Sequence, residues 1–284
     1  MSKLQLDNVS YVYSPDTPFE KEALTDVCID FKENRITGII GHTGSGKSTV
    51  AQLLNGLLRP TSGRVLLDGK DIFDKGSDIM QVRFRVGLVF QYPEYQLFEE
   101  TVWRDIAFGP SNMKLPAEEI DRRVRTAAEF TGIDKELFER SPFELSGGQK
   151  RRVAIAGIMA MEPEIIVLDE PAAGLDPQGR DEIFNGIKKW RESHNATVIL
   201  ISHSMEDMAM YADDIVVMNH GHVLNHGTVD EVFLKADTIR ESGLDIPQIT
   251  SLTEELTRLG IIDGSGIYTV DMAYKKIFEA LKEG

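Results

Sequence analysis

The sequence is poor in cysteine and has no long hydrophobic run. Cys28 is the only cysteine among 284 residues, which excludes an internal disulfide and favours a reducing compartment. No uninterrupted apolar stretch approaches the roughly 18–20 residues that a membrane-spanning helix needs. The first residues after Met1 also lack the apolar segment of a signal peptide. We therefore expect a soluble, cytosolic chain.

Basic residues are scarce relative to acidic ones. The chain has 31 Lys and Arg against 46 Asp and Glu, giving a formal net charge of −15. A nucleic-acid-binding surface needs Lys and Arg to displace phosphate counterions, and adhesion to anionic lipid needs them as well. This charge balance predicts that nucleic acid is not a partner. The length allows one large domain, or one domain with a small appendage.

The spacing of apolar residues predicts an α/β fold. Short alternating runs before residue 32 indicate antiparallel strands joined by a turn at Ser14–Pro18. Two almost wholly apolar strands, Glu164–Asp169 and Thr197–Ser202, are separated by a predicted helix over Gln178–His194. Strands buried on both faces with helical crossovers are typical of a parallel core. A strand over Ile36–Ile40 and a helix over Thr49–Leu58 enclose a glycine-rich loop.

The pattern changes after about residue 230. Residues 1–230 are predicted to form the main domain, with a helical subdomain over about 92–160, and residues 231–284 a small C-terminal appendage rich in helix. An amphipathic helix over Val270–Lys282 is expected to place four apolar residues on one face. These residues are Ala273, Ile277, Phe278 and Leu281.

A phosphate-binding loop lies between the predicted strand and helix. Residues 41–48 fit the pattern G-x-x-x-x-G-K-[ST], in which backbone N–H groups and a helix N-terminus surround phosphate oxygens. The loop and the residue that follows it are Gly41, His42, Thr43, Gly44, Ser45, Gly46, Lys47, Ser48 and Thr49. Lys47 is expected to contact phosphate and Ser48 a magnesium ion, so ATP and Mg²⁺ are the expected ligands.

Two carboxylates end a buried strand. Asp169 follows four apolar residues, and Glu170 comes next. Asp169 is expected at the edge of the sheet, where it can hold the magnesium shell, with Glu170 placed to polarise an attacking water. Apolar strands often end in acids, so this pattern is informative only together with the phosphate loop.

A pentapeptide before a predicted helix indicates the subclass. It consists of Leu145, Ser146, Gly147, Gly148 and Gln149. This signature resembles that of the ATP-binding-cassette (ABC) ATPases, in which the element caps the nucleotide bound by the opposite subunit. The resemblance implies a P-loop NTPase cassette: a RecA-like parallel core, an N-terminal antiparallel β subdomain and a helical signature subdomain. It also implies that two chains close two composite sites head to tail.

Other landmarks follow the order of that family over about Leu4–Gly227. By resemblance, Gln91 contacts magnesium and water, His203 contacts the γ-phosphate, and Asp176 lies in a loop between subunits, although Gly174 replaces the commoner alanine. Tyr13 resembles the aromatic residue that stacks on adenine, and Tyr11 is the alternative.

A narrower resemblance lies in Phe90–Val102 and Asp105–Pro110. These segments are similar to the ATPases of energy-coupling-factor transporters, which import vitamins and metal ions in prokaryotes, and to the second of their two paralogues. The resemblance implies a paralogous ATPase as partner, with a homodimer as the alternative. It also implies a transmembrane scaffold with arginine-bearing coupling helices, a separate substrate-binding membrane subunit, and a location on the cytoplasmic side of the cell membrane. The C-terminal region would help hold the ATPase pair together.

The same region predicts a groove for the membrane subunit. Aromatic and acidic side chains alternate there, which suits an incoming helix that carries arginine. The residues are Tyr92, Glu94, Tyr95, Phe98, Glu99 and Glu100, with Trp103 and Phe108 nearby. Packing within the helical subdomain is the alternative explanation for the aromatic residues.

Three other functions remain open from the sequence. The chain could serve another ABC importer, for example one for cobalt or nickel, or act as a soluble cassette ATPase on nucleic acid or ribosomes, or gate an interaction without catalysis. The histidines His220, His222 and His226 are interpreted as flanking a hairpin turn and not as a metal site.

Overall fold

The computed structural model describes residues 2–234, 239–240 and 243–283. A four-stranded antiparallel sheet is built from β1 (Ser2–Tyr13), β2 (Lys21–Lys32), β4 (Ser62–Leu67) and β5 (Lys70–Asp71), in the order β2-β1-β4-β5. Alternating apolar residues such as Leu6, opposite Ile29 and Val65, direct one face of this sheet into the core. The predicted N-terminal antiparallel subdomain is present.

A six-stranded sheet forms the second layer. Its strands are β3 (Ile36–Gly41), β6 (Val86–Val89), β7 (Ile165–Asp169), β8 (Thr197–Ile201), β9 (Asp214–Asn219) and β10 (His222–Thr228). The order is β10-β9-β3-β8-β7-β6, parallel throughout except for β10. Every residue of β3, β6, β7 and β8 is buried, which explains why their sequences are almost wholly apolar.

Ten helices lie within the described residues. They are α1 (Lys47–Leu54), α2 (Ile79–Arg85), α3 (Val102–Asn112), α4 (Ala117–Thr131), α5 (Gly147–Met159), α6 (Pro177–His194), α7 (Met205–Tyr211), α8 (Val229–Phe233), α9 (Gln248–Arg258) and α10 (Val270–Glu283). Short 3₁₀ helices cover Pro93–Gln96, Lys135–Leu137 and Pro142–Glu144. The first helix ends four residues before the predicted Leu58, because Gly56 adopts a left-handed conformation. None of the helices described is both long and apolar enough to cross a membrane.

Two large apolar clusters hold the layers together. One joins the two sheets and α1, and the other joins the parallel sheet to α3–α6. Trp190 of α6 is almost completely buried in the second cluster. The core therefore lies on both faces of the parallel sheet and holds its strand ends in fixed positions.

The C-terminal helices have a small apolar cluster of their own. Ile262, Ile267 and Ala273 are buried between α9 and α10. The preceding segment is different, because Ile239, Leu244 and Ile246 belong to the main core. The residues after 230 are therefore anchored on the cassette before they form their own cluster.

The single apolar face predicted for α10 is wrong. Ala273 is buried and Ile277 packs inward, whereas Phe278 and Leu281 are exposed. The exposed pair continues a stripe that begins with Val270 and Tyr274, at a spacing of three to four residues. The helix thus has one apolar face against α9 and a second that faces outward. We call Val270, Tyr274, Phe278 and Leu281 the outer stripe.

The contact between α6 and α4 can be tested with a glycine. A Cβ on Gly186 would lie 2.0 Å from the backbone oxygen of Phe130, so Gly186→Ala must push the helices apart. We expect a net loss of about 1–3 kcal/mol in the free energy of unfolding. Gly157→Ala is the matched control, because its Cβ would meet its nearest atom at 3.5 Å and helix propensity favours alanine. Urea denaturation of both variants measures the difference; equal stabilities would contradict the close packing.

Candidate functional site

The phosphate loop turns directly from β3 into α1. Lys47 Nζ donates hydrogen bonds to the backbone oxygens of Gly41, at 2.6 Å, and His42, at 3.1 Å. Gly46 adopts φ 104°, and a Cβ there would lie 2.8 Å from the oxygen of Ala23, so only glycine fits this turn. Burial lowers the pKa of Lys47, an effect that the nearby Glu170 and Asp169 oppose. The loop is thus a preformed cradle with a cation at its centre.

The two predicted carboxylates lie beside this lysine. Asp169 is the last residue of β7 and lines the same cavity as Ser48. Burial raises the pKa of Asp169, an effect that the Ser48 hydroxyl opposes, and the neighbouring Glu170 adds to the rise. Oxygens from a carboxylate and a hydroxyl are the donors that Mg²⁺ prefers, and Gln91, whose side chain carries an amide oxygen, lines the same cavity. These three residues fit a magnesium ion.

Glu170 has an unusual backbone. Its φ is 53°, a left-handed conformation that costs a non-glycine residue of order 1–3 kcal/mol. Its N–H donates to the oxygen of Ile201 at 2.9 Å, which ties it to the neighbouring strand. Strain of this kind is commonly found at functional sites.

His203 contacts Glu170 directly. Its Nδ1 lies 2.9 Å from both carboxylate oxygens, so the Nδ1–H donates to Glu170. The His203 side chain is 76% exposed, whereas Glu170 is buried. The histidine therefore orients the carboxylate from the open side of the site.

These groups line one cavity of about 510 Å³. Its walls bring together most of the residues predicted for ATP binding and catalysis: Tyr13, Gly41, His42, Thr43, Gly44, Gly46, Lys47, Ser48, Thr49, Gln91, Asp169, Glu170 and His203. Tyr13 is on this wall and its hydroxyl lies 3.1 Å from Thr49 Oγ1, whereas Tyr11 packs against the apolar core. The geometry favours Tyr13 over Tyr11 as the aromatic residue at the cavity.

Ser45 is the one loop residue that faces away from this cavity. It is completely buried, and its hydroxyl has no hydrogen-bond partner. Its backbone oxygen accepts from the N–H of Gly221 at 3.1 Å, which joins the loop to the turn between β9 and β10. Ser45 therefore stabilises the phosphate loop on the side opposite the cavity, through its contact with the β9–β10 turn.

The signature lies elsewhere and is absent from the walls of this cavity. Ser146 begins α5 with a capping box: its hydroxyl accepts from the N–H of Gln149, and the Gln149 side chain accepts from the N–H of Ser146. Leu145 is buried and anchors the turn, whereas Ser146 and Gly147 are exposed. Ser146, Gly147 and Gly148 form an open helix N-terminus, which suits an anion. That anion would be a different one from the phosphate held by the phosphate loop of the same chain.

The predicted inter-subunit loop precedes α6. Asp176 is the N-cap of this helix, and its Oδ1 accepts from the N–H of Gly179 at 2.7 Å. Leu175 of the same loop would contact a Cβ on Gly148, so the loop lies against the first turn of α5. Asp176 therefore has a structural role within this chain.

The groove predicted for the membrane subunit differs in composition from the expectation. A cavity of about 730 Å³ lies between α2, α3 and α5, and Phe98 is the only one of the six predicted groove residues that lines it. Other apolar walls come from Phe84, Phe108, Met113 and Met161. Tyr92, Tyr95, Glu94, Glu99 and Glu100 lie outside its walls. The groove is thus mainly apolar.

Two of the acids expected at its rim are already paired. Glu94 forms an ion pair with Arg151, and Glu100 with Arg104. Both arginines come from this chain; Glu94 is partly buried in its pair, whereas the side chains of Glu100 and Arg104 remain exposed. Asp105, which sequence reasoning missed, lines the groove instead and accepts from the N–H groups of Phe98 and Glu99. Burial raises the pKa of Asp105.

The turn between β9 and β10 was not expected to contact the phosphate loop. The predicted hairpin is present, and His222 and His226 are exposed on β10. His220 differs, because its ring centroid lies 4.7 Å from that of His42. His42 Nε2 is also 2.9 Å from Asn219 Oδ1. Across the part of the chain that the structure describes, no three His, Cys, Asp or Glu residues form a metal-binding group.

The fold and this cavity define a nucleotide-binding cassette. A family model described as ABC transporter matches residues 24–173. The energy-coupling factor transporter ATP-binding protein EcfA2 of Caldanaerobacter subterraneus subsp. tengcongensis is 52% identical over 98% of both chains. Its Clostridioides difficile counterpart is 52% identical over 97% of this chain and 96% of its own.

Solved structures agree with this assignment. CbiO1 from Clostridium perfringens, part of the ABC transporter complex cbiONQ, is similar with a TM-score of 0.75 and 40% identity, over 89% of this chain and 99% of its own. The dimeric cassette MJ0796 with ADP and Pi gives a TM-score of 0.72 at 27% identity, over 80% of this chain and 98% of its own. The chain belongs to the ABC transporter family and, within it, to the energy-coupling factor transporter ATP-binding proteins. It is thus a nucleotide-binding ATPase subunit.

The contact between Asn219 and His42 can be tested by binding. Asn219→Leu removes one hydrogen bond that holds the phosphate loop, so we expect ATP to bind roughly 2- to 10-fold more weakly. His222→Asn on the same hairpin is the control, because His222 is exposed on β10 and lies outside the cavity walls. Titration with a fluorescent ATP analogue measures both affinities; equal affinities would contradict a role for Asn219.

Proposed function

We propose that this chain hydrolyses ATP to power an energy-coupling-factor-type membrane importer of vitamins or other micronutrients. The observation that carries the proposal is the separation of two functional surfaces on one chain. The phosphate loop, Asp169, Glu170 and His203 share a cavity, while the signature turn at Ser146 opens outside it. One chain therefore offers two half-sites and requires a second cassette to complete either.

ATP and Mg²⁺ are the ligands of the first half-site. Lys47 and the backbone of Gly41–Ser48 hold the phosphates, and Tyr13 stacks on the adenine. Ser48, Asp169 and Gln91 would hold the magnesium ion, which would supply positive charge to the phosphate oxygens. Glu170, held by His203, accepts the proton of the attacking water.

The second half-site is the signature. Gly147 and Gly148 present N–H groups, and Ser146 its hydroxyl, at the N-terminus of the 13-residue α5. That helix end binds the γ-phosphate of the nucleotide held by the partner ATPase. We favour a paralogous ATPase as this partner because the resembled EcfA2 proteins belong to a system with two ATPases; a homodimer would close the same two sites.

The apolar groove receives the transmembrane scaffold subunit. Its walls of Phe98, Phe108 and Met161 suit the apolar face of a coupling helix, and Asp105 offers one carboxylate to a basic residue on it. Binding there holds this chain at the cytoplasmic side of the membrane. A separate membrane subunit binds the transported substrate.

The appendage, residues 231–284, supports pairing of the two ATPases. The outer stripe of α10 exposes four large apolar side chains on one helix face, and Tyr274 and Phe278 stack with ring centroids 5.8 Å apart. Exposed apolar stripes of this kind mark protein contacts. Residues 1–230 form the nucleotide-binding domain, and the contact made by the appendage holds this domain next to that of the partner ATPase.

Glu170→Gln tests the catalytic assignment. The amide keeps the shape of the side chain but cannot accept the proton, so we expect ATP binding to persist while hydrolysis falls about 10²–10⁴-fold. Lys47→Ala is the companion variant and should lose binding itself. ATPase activity is measured in membranes that contain the assembled transporter. Undiminished turnover by the Glu170→Gln complex would remove Glu170 from the role of base.

A further inference from the structure

Arg151 occupies a position that the catalytic scheme does not use. It lies in the second turn of α5, two residues after the signature, and only 3% of it is exposed. A guanidinium is almost never buried unless its donors are paired, so its partners indicate what it does.

The guanidinium joins two distant segments to the signature helix. Its Nε and Nη2 donate to the two carboxylate oxygens of Glu94, at 3.1 and 2.9 Å, in a bidentate pair. Its Nη1 donates to the backbone oxygen of Ala173. Glu94 is three residues after Gln91, and Ala173 begins the loop that ends at Asp176.

Two further contacts support the same junction. The Arg151 guanidinium carbon lies 5.9 Å from the ring centroid of Tyr92, which follows Gln91 directly and adopts φ 57°. Leu175 of the Ala173–Asp176 loop faces Gly148 in the first turn of α5, where a Cβ would approach it to 3.3 Å. The segment after Gln91, the signature turn and the Ala173–Asp176 loop therefore meet at one side chain.

The helix that carries Arg151 also reaches the apolar groove. Val153, Gly157 and Ile158 of α5 line that groove, while Ser146 opens at the other end of the same helix. If the segment after Gln91 moves, either the Glu94–Arg151 pair breaks or α5 moves with the segment. Because the pair is bidentate and Arg151 is buried, we expect the pair to resist separation, so that the segment and α5 move together.

We propose that Arg151 is a positioning residue that holds the signature turn in register with the segment after Gln91 and with the Ala173–Asp176 loop. Through this junction, a partner seated in the apolar groove sets the position of the helix end that closes the second nucleotide. The proposal rests on the function assigned above to the signature. It reassigns Glu94 from a docking acid to an internal partner of Arg151.

The test separates ATP binding from turnover. Arg151→Met fills a similar volume without charge, and Arg151→Lys keeps the charge but cannot bridge two partners. Glu94→Gln removes the negative charge and replaces one of the two acceptor oxygens with an NH2 donor. Arg152→Met is the matched control, because Arg152 is the next residue in α5 and pairs with the more exposed Glu182. Affinity for an ATP analogue is measured on each chain, and kcat and KM for ATP on each assembled transporter.

We expect Arg151→Met and Arg151→Lys to bind ATP within about twofold of the unmodified chain but to lower kcat at least tenfold. Glu94→Gln should also lower kcat. The double variant, Arg151→Met with Glu94→Gln, should have a kcat no lower than that of Arg151→Met alone. Arg152→Met should stay within about twofold in both quantities.

Thermal melts decide which variants are compared. If Arg151→Met does not fold, Arg151→Lys and Glu94→Gln replace it. Full kcat in a folded Glu94→Gln or Arg151→Lys complex, or a loss no larger than that of Arg152→Met, would overturn the proposal. If the unmodified complex does not hydrolyse ATP, or Lys47→Ala binds ATP normally, the function proposed above fails instead.

Discussion

The site depends on the register of three buried parallel strands. Ile39 of β3 and Asp169 of β7 both pair with Ile201 of β8, so these three residues lie in one row across the sheet. Gly41 and His203 each follow two residues beyond that row. A shift of one residue in the pairing of β8 with β3 or with β7 would separate Asp169 from the phosphate loop. The apolar packing on both faces of the sheet prevents such a shift.

This register explains why one chain carries two incomplete sites. The strand ends meet at a single edge, where they place a lysine, two carboxylates and a histidine around one cavity. The signature begins α5, which lines the apolar groove, and none of its residues is on the walls of the cavity at that edge. In the function we propose, closure therefore requires a second cassette, and the junction at Arg151 links that closure to the groove proposed for the membrane subunit.

Local motifs made much of this predictable. The phosphate loop, the strand ending in Asp169 and the signature each carry their chemistry within a few residues, and the apolar strands predicted the parallel core. Tyr13 and Tyr11 could not be separated from the sequence, because residues two apart lie on the same face of a regular strand. The pairing of β1 with β2 shifts register between Tyr11 and Val12, which spacing alone does not reveal.

Contacts between distant residues were beyond prediction from the sequence. Glu94 and Arg151 lie 57 positions apart, and their ion pair turned an apparent docking acid into an internal contact. The ring contact of His220 with His42 depends on how the β9–β10 turn folds over the loop. In α10, spacing revealed the apolar residues but not that they divide between an inner and an outer face. Tertiary packing decides each of these cases.

The central claim is that catalysis requires two cassettes. It is tested most directly by the ATP hydrolysis rate per chain, measured over a wide range of dilution, with and without the paralogous ATPase. We expect the rate per chain to fall toward zero on dilution of the isolated chain and to rise and saturate as the second cassette is added. A rate per chain that is substantial and constant at every concentration, unchanged by the second cassette, would contradict the claim.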